Sequence, residues 1–188
     1  MIEMMGVIAI IGVLAVGVWT LIGSALYKYR ISQTSIQIQS LSKGISRFYA
    51  LSGNYDKLGD TNAIKKLIDS RVPDPAMISG DNSLRHAFGG EVNIAPVFYT
   101  NTDDYGTSSD SFAITFKDIS SKVCVELASM TWAENDAANL VSIKIGNDKY
   151  CWAGPYQESG CKGDLPITVD KSMASCTAAK TDITWEFR

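Results

Sequence analysis

Met4-Met-Gly-Val-Ile-Ala-Ile-Ile-Gly-Val-Leu-Ala-Val-Gly-Val-Trp-Thr-Leu-Ile-Gly-Ser-Ala-Leu-Tyr27 contains no charged residue, and the only charge before Lys28 is Glu3. As an α-helix the run is about 36 Å long, enough to cross a hydrocarbon core of about 30 Å. A secretory signal peptide would open with basic residues and close at a small-residue cleavage site. This run has no basic residue and continues past Tyr27 into an amphipathic pattern. Ile31, Ile38 and Ile45 recur at one heptad position, with Thr34, Leu41 and Phe48 at a second. Gln33, Ser35, Gln37, Gln39, Ser40, Ser42 and Lys43 supply a polar back face. No proline falls between Met1 and Val72, so the pattern predicts one helix from about Met1 to Leu51, stopping at Gly53. Residues 1–27 are apolar all round and suit lipid or a protein core, whereas residues 28–52 should pack one face on their own domain. Gly6, Gly12, Gly17 and Gly23 each weaken the helix by about 1 kcal/mol relative to Ala but allow close helix–helix approach. If the helix loosens anywhere, it should do so between Gly17 and Gly23.

The chain has 188 residues, and removing the apolar helix leaves about 135–160, room for one core. A net charge of −3 and a pI near 5.1 provide no basic face for a phosphate backbone, so direct nucleic-acid binding is not expected. Cys124, Cys151, Cys161 and Cys176 all follow the apolar head, an arrangement that implies two disulfides formed in an oxidising compartment. Their spacing matches no zinc-ligand pair. Sequence alone leaves three connectivities open.

Residues 53–90 read as an irregular connection with one short helix, Asn62–Asp69, capped by Asp60 or Thr61 and ended before Pro73 and Pro75. From residue 91 the chain turns to β structure. Val92, Ile94 and Val97 mark a strand that Pro96 places at an edge or before a bulge, and Phe112–Phe116 mark another. Asp118 or Ser120 should cap a helix reaching Met130, with Val123, Cys124 and Leu127 facing inward. Leu140–Ile145 and Lys149–Trp152 alternate around Gly146-Asn147-Asp148, a hairpin signal. Ile167–Val169 reads as a short strand, Asp170 as the cap of a helix through Cys176, and residues 181–187 as a closing strand. The expected fold class is α+β: a long N-terminal helix on a mainly antiparallel sheet with a disulfide-bounded C-terminal region. Its divisions are 1–27, the apolar half of the helix suited to a membrane or a protein core, and 28–188, a globular domain whose sheet and disulfide region occupy 91–188.

An apolar helix with a glutamate at its tip, leading into a sheet and a cysteine-closed end, resembles the type IV pilins. Phe48-Tyr49-Ala-Leu-Ser-Gly53-Asn54-Tyr55 is similar to the aromatic-then-Gly-Asn-Tyr helix exit of the type IVb branch. His86-Ala-Phe88-Gly89-Gly90 is similar to that branch's Asn-Pro-Phe-Gly-Gly segment, with His-Ala in place of Asn-Pro. Phe112–Phe116 leading to Cys124 matches its strand-then-cysteine-helix order. The family glutamate is normally the fifth residue of the processed chain, and here it is the third. The family also implies a basic leader ending in glycine; none precedes Met1, which suggests a processed product with a shortened head or a trimmed start.

The resemblance implies a major pilin whose helices bundle into a filament core, and the disulfides Cys124–Cys176 and Cys151–Cys161. It implies that Met1 is N-methylated and that Glu3 attracts a neighbour's N-terminal amine. A carboxylate in hydrocarbon is costly unless paired, and the Met1 ammonium supplies that pairing. Implied partners are further copies of the chain, a prepilin peptidase, an assembly ATPase acting through a platform protein, and a secretin. Implied locations are the inner membrane before assembly and an extracellular pilus afterwards. Adhesion, aggregation, motility, DNA uptake and conjugation all use such shafts. The alternatives are a minor pilin or type II secretion pseudopilin, and a membrane-anchored adhesin that does not polymerise. No catalytic constellation and no cofactor motif is present: His86 is far from any nucleophile elbow and reads as structural or surface. Asp103, Asp104 and Asp110 lack the spacing of a calcium loop and read as solvated surface. Trp132, Trp152 and Trp185 read as core.

Overall fold

Helix α1, Ile2–Tyr49, is the longest element of the chain and runs without a break, including between Gly17 and Gly23. The computed structural model describes residues 2–98, 109–132, 139–152 and 160–188, with side chains from residue 22 onward. Ile31, Thr34, Ile38, Leu41 and Ile45 are all buried, so the heptad line is the face that meets the domain. Two polar-face residues depart from expectation: Gln37 and Ser42 are also buried. At about 100° per residue they flank the heptad line, which widens the covered arc to roughly 140°. At the helix end Tyr49 is buried and Phe48 is 41% exposed, the reverse of the heptad assignment. Gly53, at φ +69°, then turns the chain away, as a glycine can without steric cost.

Residues 53–90 hold more order than the sequence suggested. Beside α2, Ala63–Asp69, they contain 3-10 turns at Asp56–Gly59 and Pro75–Met77 and two short strands, β1, Ile78–Gly80, and β2, Ser83–Arg85. Asn62, not Asp60 or Thr61, occupies the N-cap position of α2. The sheet continues with β3, Glu91–Val97, and β4, Ser111–Ser120, followed by α3, Ser121–Ala128. The hairpin is β5, Leu140–Ile145, with β6, Asp148–Cys151. β7, Gly163–Asp164, precedes α4, Val169–Ser175, and β8, Lys180–Phe187, ends the chain. The strand order is β1-β2-β3-β4-β8-β5-β6-β7, antiparallel throughout except for β6 with β7. β2 pairs with β3 only at Leu84–Val92 and Arg85–Glu91, so Pro96 lies where β3 is a free edge.

Of the two caps offered for α3, Ser120 takes the N-cap position, while Asp118 sits in a bulge of β4 at φ 60°. Three other local expectations fail. No strand forms at Ile167–Val169, because Val169 already begins α4 and Thr168 takes the N-cap position assigned to Asp170. Trp152 is 37% exposed, whereas Trp132 and Trp185 are core. The core lies between α1 and one face of the sheet. Phe112, Ile114 and Phe116 of β4 alternate inward opposite Ile183, Trp185 and Phe187 of β8, the period-two signature of a half-buried strand. Cys124 in α3 is bonded to Cys176 just after α4, and Cys151 in β6 to Cys161. The first bond ties α3, which packs on α1, to the residue that follows α4.

Candidate functional site

The long helix has a second line that the heptad did not reveal. Ile22, Leu26, Tyr29 and Ile36 are 46%, 52%, 60% and 51% exposed. On a wheel of about 100° per residue they fall within roughly 80° of one another and face away from Ile38 and Ile45. Their steps of four, three and seven residues are those of a helix–helix seam. The line starts in the apolar half with Ile22 and Leu26 and reaches into the amphipathic half at Tyr29 and Ile36, and the domain leaves it uncovered. Scattered exposed apolar residues are ordinary, but a line of four along one helix face marks a contact surface.

Beside this seam runs a groove of about 560 Å³ between α1 and α3, with Lys28, Ile31 and Ile36 on one wall and Glu126, Met130 and Trp132 on the other. Its lining includes Lys28 and Glu126 and mixes the Ser32, Ser35 and Thr131 hydroxyls with apolar groups. At the neck of the domain the Lys122 ammonium lies 4.2 Å from the centre of the Tyr27 ring, whose edge meets Phe88 at 6.3 Å. Further along, Gln37 accepts a hydrogen bond from the Ala87 N–H at 3.2 Å. These contacts fix the direction in which α1 leaves the sheet.

Around the second disulfide, Asp148 accepts hydrogen bonds from Lys162 at 2.7 Å and Ser175 at 2.6 Å, and Ser175 in turn pairs with the Tyr150 hydroxyl. The Lys162 ammonium, then the Ser175 hydroxyl, hold the Asp148 carboxyl below its ordinary pKa of 3.8. This network links β6, α4 and the segment after Cys161, so the disulfide-bounded end is braced by polar bonds as well as by sulfur. Among the described residues no cluster of His, Cys, Asp or Glu is arranged to hold a metal ion.

Glu3 lies in the first turn of α1, but its side chain is outside the described residues, as is Met1 altogether. Asp103 and Asp104 also lie outside them, while Asp110 is 3.7 Å from Arg188. Among the described residues no helix is long and apolar enough to cross a membrane; the side chains of residues 2–21, the bulk of the apolar run, are not among them.

The sequence profile of the PilS N-terminal family matches residues 28–186. The chain belongs to the type IVb pilins. Solved structures agree on the fold. A type IVb pilin from Salmonella typhi superposes with a TM-score of 0.59 at 15% identity, covering 82% of this chain and 97% of that one. TcpA, a type IV pilin from Vibrio cholerae El Tor biotype, gives 0.54 at 14% identity, covering 85% and 99%. No curated protein matches by sequence. As a pilin the chain is a structural pilus subunit rather than an enzyme, and α1 carries four of its exposed large apolar residues on one side, at Ile22, Leu26, Tyr29 and Ile36.

Proposed function

We propose that this pilin is the major subunit of a type IVb pilus and polymerises through α1, with the apolar half bundled in the filament core and the sheet domain outside. The observation that carries the reading is the seam Ile22–Leu26–Tyr29–Ile36, which the monomer leaves uncovered although each member is a large apolar or aromatic residue. Before assembly the apolar run of residues 4–27 holds the subunit in the inner membrane. Glu3 then draws in the N-terminal amine of a neighbour, so that two costly charges neutralise each other in an apolar surround. Maturation by a prepilin peptidase that methylates Met1, extrusion by an assembly ATPase and platform protein, and exit through a secretin follow from the same reading.

The test is Glu3→Gln and Glu3→Ala, scored by electron microscopy and quantitation of sheared filaments. Both variants should remain membrane-inserted at wild-type level and lose most filaments. Normal piliation in both would remove the assembly role of Glu3. A wild-type chain present only in trace amounts in sheared filaments would make it a minor pilin instead.

A further inference from the structure

The turn at residues 86–90 joins β2 to β3 and fastens α1 to the sheet, through the Ala87 N–H on Gln37 and the Phe88 ring on Tyr27. Backbone bonds between His86 and both Gly89 and Gly90 close the turn, and the His86 side chain, only 3% exposed, joins it to β4. The Phe88 N–H donates to His86 Nδ1 at 3.2 Å, which requires a lone pair on that nitrogen. His86 Nε2 lies 2.9 Å from the Lys117 carbonyl, which can only accept, so Nε2 carries the proton. Both nitrogens are thus committed to the neutral ring. An imidazolium would aim a second N–H at the Phe88 N–H. Nor can the ring turn over to find new partners. It is stacked on Phe116 at 5.0 Å with an 8° tilt, and Gly90 closes its other side so tightly that a Cβ there would collide with Nε2.

We propose that the His86 turn is an acid-sensitive latch between α1 and the sheet, closed while the imidazole is neutral and released when it takes up a proton.

The surrounding charges oppose this only weakly. On β4, Asp118 attracts a proton toward the ring but is engaged by Lys180 of β8 at 3.2 Å, and the Lys117 ammonium is turned to Glu91 of β3 at 3.0 Å. Asp182 of β8 accepts the Asp118 N–H, and Arg85 of β2 reaches the Gly89 carbonyl. α1 presents the uncharged Gln37, and on α3 the Lys122 ammonium sits over Tyr27. Burial outweighs the Lys117 hydrogen bond and Asp118 and holds the His86 pKa below its ordinary 6.5. The stability of the closed turn is therefore complete above pH 6.5 and is lost as the pH falls from there through the lowered folded-state value. Over that interval the folding constant drops by up to about tenfold per pH unit. His86 is the only histidine, so no other side chain has an ordinary pKa between pH 5 and 8. The latch does not depend on the pilus assignment, because it is read on the monomer.

The test uses the full chain in detergent micelles, with hydrogen exchange of the Ala87 and Phe88 amides followed from pH 7.5 to 5.0 and corrected for intrinsic exchange. His86→Asn is the control, since its Oδ1 can accept the Phe88 N–H in an Asx turn without titrating. Wild-type protection at both amides should fall as the pH drops below 6.5, by up to about tenfold per pH unit, while Thr115 in mid-sheet stays protected and the Asn variant shows no such step. Equal pH dependence in the two proteins overturns the latch. Should the Asn variant fail to fold, ¹⁵N spectra of the His86 ring decide: an imidazolium with Ala87 and Phe88 still protected also overturns it.

Discussion

The two faces of α1 between Ile22 and Tyr49 have similar apolar residues and opposite fates. The inner face, Ile31, Ile38, Leu41 and Ile45, is at most 6% exposed, whereas no member of the outer seam is less than 46% exposed. Folding of the subunit satisfies the first and leaves the second for another molecule. Under the proposed assembly, one helix would hold two separable functions. The stability of the monomer depends on the inner face, and assembly can draw on the outer face without sharing side chains with the core.

That separation can be broken by mutation, and the expected effects descend steadily. Leu41→Ala, on the inner face, should cost about 2–5 kcal/mol in denaturant unfolding of the detergent-solubilised chain, because the site cannot collapse around the lost volume. Replacing Cys124 and Cys176 together by serine should cost about 2–4 kcal/mol by the same measurement, since their bond braces α3, against which α1 rests. Gln37→Ala lies at the border of the inner arc. It strands the Ala87 N–H and should cost about 1 kcal/mol, with faster exchange of that amide. Tyr29→Ser and Ile36→Ser should move the monomer by less than about 0.5 kcal/mol yet lower the yield of sheared filaments several-fold. If the outer pair destabilised the monomer as much as Leu41→Ala, the two faces would not be independent and the comparison would fail.

The inner face was legible because a seven-residue period survives intact from Ile31 to Ile45, and burial of one stripe is what such a period means. The sheet was legible where strands are half-buried: Phe112, Ile114 and Phe116 alternate, as do Ile183, Trp185 and Phe187. Where alternation is absent the sequence is mute. β1 and β2 are three residues each, too short for a period, and their order comes from pairing with β3 rather than from propensity. Cap positions were misassigned by one or two residues because Thr, Asp and Asn crowd two helix starts, at 60–62 and at 168–170. The outer seam was missed for another reason. Gln33 falls within its line, and the polar residues around Ile36 concealed the spacing with Tyr29, Leu26 and Ile22. The burial of His86 had no signature in the sequence. It follows from Gly90 and the Lys117 carbonyl, residues whose proximity exists only after β3 and β4 pair.

The last strand, β8, lies in the middle of the sheet, hydrogen-bonded to β4 on one side and β5 on the other. A chain that emerges from its N-terminus must therefore wait for residues 180–187 before the two halves of the sheet can join. Until residues 180–187 arrive, β4 and β5 each present an open edge, and Cys176 becomes available to Cys124 only shortly before. Completion of the domain is a single late event, dominated by contacts distant in sequence. Without residues 180–187 the two halves of the sheet have no strand in common, so β8 is the keystone of the domain.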